Sequence, residues 1–200
     1  MEIKKDRLAQ WFDFVRYQNH RSKLFSDCFF QSQLDSKEAV VNLVKDMSPA
    51  ETETMYVFGG WYGILSQLLL DNVYMCDKIY TIDKDPYCES VVNFFEEPKI
   101  VAITDLVERF EYIEKPSLVI NTITEHLTQD LYDQWWQKVP VGTKFIIQGN
   151  DFNEIDEHVR CPESLDEFIS QCRLEDHMIE HKQTIDCGGY FNRWFVSGTR

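Results

Sequence analysis

Between Met55 and Asn150 the chain repeats one alternation five times: a short β-rich run, then a stretch with helical spacing. The runs are MYVF (55–58), KIYTID (78–83), KIVAIT (99–104), SLVINT (117–122) and TKFIIQG (143–149). Strands joined through helix-length crossovers run parallel, so the pattern predicts a parallel sheet with helices on both faces. After the fifth run the rhythm stops. One more helix, PESLDEFISQC, has Ser164 and Glu167 at capping-box spacing. Two strand candidates follow, EDHMIEHKQTID and RWFVSGT, joined only by CGGYFN. A turn that short makes them antiparallel. The expectation is an α/β fold with a mostly parallel seven-stranded sheet and an antiparallel C-terminal hairpin.

Ahead of this lies a helical segment, residues 1–54, packed on the same domain as 55–200. Leu8, Trp11, Phe12 and Val15 share a helical spacing and suggest one buried face. A second helix is expected from Asp35–Ser36, with Ala39, Val40, Leu43 and Val44 inward, and a stop at Ser48–Pro49. Asp85–Pro86 reads as an N-cap followed by a first-turn proline, and DLVERFEYI (105–113) as a short helix. No apolar run approaches the ~20 residues that span a bilayer, and the charged N-terminus lacks a signal-peptide core. The expected compartment is the cytoplasm. Six cysteines without a C-x-x-C pair argue against a zinc ribbon or a disulfide scaffold and for packed, reduced thiols.

With 20 Lys and Arg against 34 Asp and Glu, the net charge is −14. Such a surface repels phosphates, so nucleic acid is disfavoured, and a small-molecule or protein partner fits better. Nothing in the chain separates a helical N-terminus that shapes a pocket from one that makes a homodimer.

Ligands of open parallel sheets sit at the carboxyl ends of the strands. Those positions hold Gly59-Gly60-Trp61-Tyr62-Gly63, then Asp83, Asp105, Asn121 with Glu125 and His126, and Gln148 to Asp151. Asp83 lies twenty residues beyond Gly63, the spacing at which a carboxylate accepts from both hydroxyls of an adenosine ribose. Loop and acid together imply a nucleoside-containing ligand. The dinucleotide fingerprint G-x-G-x-x-G would fall on residues 58–63, with Phe58 in place of its first glycine. A G-x-G loop would fall on 59, 61 and 63, with Trp61 in place of the middle one. The loop alone leaves both open.

The element order from Met55 to Arg200, with GGWYG and VINTITEHL, resembles the class I S-adenosylmethionine-dependent methyltransferases, and among them small methyltransferase-like proteins of phages. The resemblance implies a Rossmann-like methyltransferase fold, S-adenosylmethionine as cofactor and, for a phage protein, the host cytoplasm. It places Gly59, Gly60 and Gly63 against the cofactor's methionine part, Asp83 on the ribose and Asp105 by the adenine. The acid that usually ends the first strand is missing, since Val57 and Phe58 stand there. Trp61 is a candidate neighbour of the cationic sulfonium.

In such enzymes the loop after the fourth strand receives the acceptor. Methyl transfer asks the protein to align and desolvate a nucleophile, and a base helps when the acceptor carries a proton. His126 is the candidate base and Asn121 the candidate orienting group. Glu125 is a candidate as well, although Thr122-x-x-Glu125 is also a capping-box spacing. Trp135 and Trp136 sit about 100° apart on one helix, one expected in the core and the other as a lid contact. No metal-ligand pattern is expected among His20, His158, His177 and His181. Two rival functions are a nucleotide-dependent oxidoreductase and a non-catalytic methyltransferase-like binding module.

Overall fold

In a computed structural model, which describes residues 1–17, 22–47, 53–73 and 76–200, all five β-rich runs are strands. His20 and the stop at Ser48–Pro49 lie outside the described residues. The strands are β1 (Glu53–Phe58), β2 (Cys76–Asp83), β3 (Ile100–Thr104), β4 (Leu118–Asn121), β5 (Lys144–Asn150), β6 (Ile179–Asp186) and β7 (Asn192–Thr199). They form one sheet in the order β3-β2-β1-β4-β5-β7-β6. The first five are parallel, and β7 runs antiparallel between β5 and β6.

Successive side chains of a strand point to opposite faces, and both faces are covered here. Met55 and Val57 of β1, Ile146 of β5 and Phe195 of β7 join one core. Their neighbours Tyr56, Phe58, Phe145, Ile147, Trp194 and Val196 join the other. The first core is closed by α1 (Lys5–Tyr17), α3 (Gln31–Asp46), α4 (Ile64–Asn72) and α5 (Pro86–Phe94). The second is closed by α6 (Gln129–Lys138) and α7 (Leu165–Gln171). A five-residue helix, α2 (Ser22–Ser26), precedes α3. Caps appear where the sequence places them. Asp85 accepts from the Tyr87 amide at 2.9 Å, and Ser164 from the Glu167 amide at 3.2 Å.

Three local expectations are corrected. Helix α1 buries Arg7, Trp11 and Phe14, leaving Leu8 38% and Phe12 71% exposed. Polar partners select that face: Arg7 Nε and Nη2 donate to the Asp71 carboxylate at 3.1 and 3.3 Å, and Trp11 Nε1 donates to Gln67 at 2.5 Å. Helix α3 begins at Gln31, four residues before the expected start. Residues 105–113 make one turn, with the Phe110 amide on the Leu106 carbonyl, and then extend. Extension lets Phe110 and Tyr112 both pack edge-on against Tyr56 and Phe58. A helix would not have placed both rings on the sheet.

Candidate active site

The order of the strands reverses between β1 and β4, and the crevice outside such a reversal is where open α/β sheets bind ligands. A cavity of about 850 Å³ opens there. Its floor is the turn after β1. The Gly59 and Gly60 amides both donate to the Ile82 carbonyl, at 2.9 and 3.0 Å, folding the turn back over β2. A Cβ on Gly60 would overlap Oγ1 of Thr81. Gly63 lies outside the cavity lining; its φ of +75° starts α4, and a Cβ there would come within 2.7 Å of Val92.

Trp61, between them, has a φ of +46°, which a non-glycine residue adopts at a cost of ~1–2 kcal/mol. Its amide donates to Asp83 Oδ2 at 2.9 Å, while Asp83 Oδ1 accepts from the Asp85 amide at 3.1 Å. The Asp83 carboxylate thus clamps the glycine turn to the end of β2, and each oxygen keeps lone pairs for a ligand in the cavity it lines. The Trp61 ring stacks on Tyr62 at 5.1 Å and also faces the cavity.

Asp105 does not line the cavity. Its amide bonds to the Asp83 carbonyl at 3.0 Å and its Oδ1 caps the Leu106 amide at 2.7 Å, so the neighbouring wall consists of Leu106, Val107 and Glu108. Asn121 is fully buried beneath the β4 loop, where Oδ1 accepts from the Ile123 amide at 3.1 Å. It too is absent from the lining; Oδ1 shapes the 122–126 turn, and its buried Nδ2 has no partner among the described residues.

Glu125 and His126 do face the cavity. The Thr122-x-x-Glu125 capping box does not form. Thr122 Oγ1 donates instead to the Phe58 and Gly59 carbonyls, both at 3.2 Å. Glu125 is 4% exposed; Oε1 accepts from Asn150 Nδ2 at 2.5 Å, and Oε2 has no partner. His126 Nδ1 lies 3.2 Å from the Glu157 carbonyl, which can only accept, so Nδ1 carries the proton and Nε2 the lone pair. Crowding of the ring lowers its pKa below 6.5 against the opposing pull of Glu125, keeping the imidazole neutral at pH 7.

Much of the cavity comes from residues the local pattern did not flag. Cys28, Phe30, Ser36 and Lys37 reach in from the N-terminal segment, and Ser36 Oγ donates to Gln148 at the end of β5. Lys37 Nζ is held by the Cys28 and Gln33 carbonyls at 3.2 and 3.3 Å, and burial pushes its pKa down to about 8. Antiparallel β7 brings its first residues to the ligand end, setting Arg193 opposite Asn150 with Nε unpartnered. Among the described residues neither Lys37 nor Arg193 forms an ion pair. His158, from the loop after β5, completes the rim beside His126. Trp135 and Trp136 are both core residues, so neither is a lid contact.

Neither a protein-family model nor a curated protein sequence matches this chain. Solved structures do match its shape. The N-methyltransferase NodS of Bradyrhizobium japonicum, crystallised with S-adenosyl-L-homocysteine, superposes with a TM-score of 0.64 at 12% identity, covering 84% of this chain and 88% of its own. The magnesium protoporphyrin IX methyltransferase ChlM of Synechocystis, also with S-adenosyl-L-homocysteine, gives 0.65 at 9% identity, covering 83% and 82%. A methyltransferase of Aquifex aeolicus gives 0.56 at 14% identity over 79% and 88%. This is the class I methyltransferase fold. Within the methyltransferase fold, the cavity at the β1/β4 reversal, the turn at 59–63 and the acid ending β2 stand where the sequence predicts a nucleoside ligand.

Proposed function

We propose that this chain transfers a methyl group from S-adenosylmethionine to a small-molecule acceptor. Asp83 carries the reading. It ends β2, clamps the glycine turn by one bond from Trp61, and opens its remaining lone pairs into the cavity. In this reading Asp83 takes the ribose hydroxyls, Leu106 to Glu108 flank the adenine in place of Asp105, and Gly59, Gly60 and Trp61 meet the methionine end. Gly63 and Asn121 support the two loops from beneath. The acceptor lies between Glu125 and His126 on one side and Lys37 and Arg193 on the other. Two cations without an ion-pair partner among the described residues, in a chain of net charge −14, favour an acceptor bearing an anionic group. His126 Nε2 is the group that would receive the acceptor's proton.

Segment 1–54 serves in this reading as a cap on the 55–200 domain, because residues 28–37 supply part of the cavity wall. A second reading, a binding module without catalysis, is favoured by the one departure in the turn, a tryptophan held in a left-handed conformation where a glycine is expected. Calorimetric titration with S-adenosylmethionine, S-adenosylhomocysteine and NAD tests the proposal. Micromolar binding of the first two without the third supports it, and silence from both sulfur ligands refutes it.

A further inference from the structure

We infer that Glu125, His126 and His158 form a site for a divalent transition-metal cation in the wall of the same cavity. One ligand atom from each residue lies within 4.8 Å of the other two. Both imidazoles direct Nδ1 at a backbone carbonyl, His126 at Glu157 and His158 at Phe152, so each ring donates there and its Nε2 is left outside that bond. The rings meet edge to face at 4.6 Å. Beside them the buried Glu125 Oε2 has no partner, while Asn150 fixes Oε1. Two imidazoles and a buried carboxylate with an unpartnered oxygen therefore meet in one wall of the cavity, a donor set that a cation can join.

The chemistry of the set agrees. Two imidazoles and one carboxylate leave coordination positions open, as in catalytic zinc and non-haem iron sites, and each ligand already has the backbone or amide partner that orients metal ligands. Donors of a tetrahedral zinc stand roughly 3.3 Å apart at metal–ligand distances near ~2.1 Å. Loading thus draws the three atoms together by about 1.5 Å at most, a movement within reach of the 152–159 loop that carries His158.

The use of the cation rests on the proposed methyl transfer, whereas its binding does not. With the metal present, the His126 lone pair is committed to it, and the acceptor is activated by coordination rather than by a side-chain base. An acceptor hydroxyl or thiol bound at an open position loses its proton to water. Its oxygen or sulfur then forms the bond to the methyl carbon. The old methyl–sulfur bond breaks, and its electron pair returns to sulfur, leaving neutral S-adenosylhomocysteine.

The test is titration of the untagged, chelator-stripped full chain with Zn²⁺ by calorimetry and with Co²⁺ by visible absorption. One equivalent is expected, with a Co²⁺ spectrum of low coordination number. His126→Ala and His158→Gln should each weaken binding by about 100-fold or more, and Asn150→Ala by ~10–100-fold as the partner of a ligand. His177→Ala, on the exposed turn before β6, should change nothing. Absence of binding, or binding indifferent to both cavity histidines, overturns the site. S-adenosylhomocysteine affinity measured on the same variants separates the two readings: cofactor binding without metal binding overturns only the cation site.

Discussion

Replacing Asp83 by alanine removes two bonds at once, from the Trp61 amide at 2.9 Å and the Asp85 amide at 3.1 Å. Bonds to a charged acceptor contribute ~1.5–3 kcal/mol each when buried. Asp83 is half-buried, so water recovers part of this, and a loss of about 1 kcal/mol per bond is the reasonable figure. The total, roughly 2 kcal/mol, corresponds to a fall in Tm of about 4–8 °C for a domain of this size. Trp61, no longer clamped at its positive φ, should leave the left-handed region. The ligand loses more. Two ribose hydroxyls deprived of a carboxylate forfeit about 3 kcal/mol, or ~100-fold in affinity. Asp83→Asn should fall between, because its amide group turns a donor toward one of two backbone donors. Thermal unfolding and calorimetry with S-adenosylhomocysteine read the two effects separately. An alanine variant that melts within about 1 °C of the parent and binds within about threefold would refute both the clamp and the site.

Gly60→Ala should destabilise by ~1–3 kcal/mol, since its methyl group collides with Oγ1 of Thr81, itself buried without a partner. Thr81→Ala in the same chain should recover at least ~1 kcal/mol by urea unfolding, and simple additivity would contradict the contact. Arg7→Ala leaves the buried Asp71 carboxylate only the exposed Lys4 ammonium at 3.0 Å and loosens Glu97; a cost of ~2–3 kcal/mol is expected, and a change below ~0.5 kcal/mol would show the pair to be idle. Alkali should unfold the chain. Burial pushes the thiols of Cys28, Cys161 and Cys172 up to about 12, 11 and 11, from 9.0. The stability they contribute is complete below pH 9 and is lost as pH rises through those values. Lys37 works oppositely between about 8 and 10.5, where the unfolded chain holds the extra proton, so the midpoint of urea unfolding should fall most steeply above pH 10.5. Cys172→Ala should flatten that fall, and an unchanged profile would contradict the burial argument.

The sheet was legible because parallel strands covered on both faces read as continuous apolar runs, and because a hairpin needs its partners close in sequence. Asp83 and the glycine turn were legible for a similar reason: spacing along one βαβ unit sets their spacing in space. The face of α1 was not. Its decisive residue, Arg7, is charged, and the acids that make its burial favourable, Asp71 and Glu97, are distant in sequence, with only Gln10 nearby. The helix expected at 105–113 failed on aromatic packing against Tyr56 and Phe58, a contact with no local signature. The far half of the cavity was hidden for the same cause. Lys37, His158 and Arg193 come from three separate elements, and single polar residues leave no periodic trace.

The reversed direction of β7 has a consequence for how such a chain can change. Its first residues arrive at the same rim as the last residues of β5, so the exposed turn at 188–190 and Arg193 belong to one short, surface-anchored stretch. Insertions or substitutions there can reshape the rim nearest Arg193 without touching β1, β2 or the turn between β1 and α4. The part of the cavity built by the turn after β1 and the end of β2 is thereby tied to the core of the sheet. The hairpin at the margin adds Phe191 and Arg193 to the rim, and these can meet new partners while the turn after β1 keeps its own.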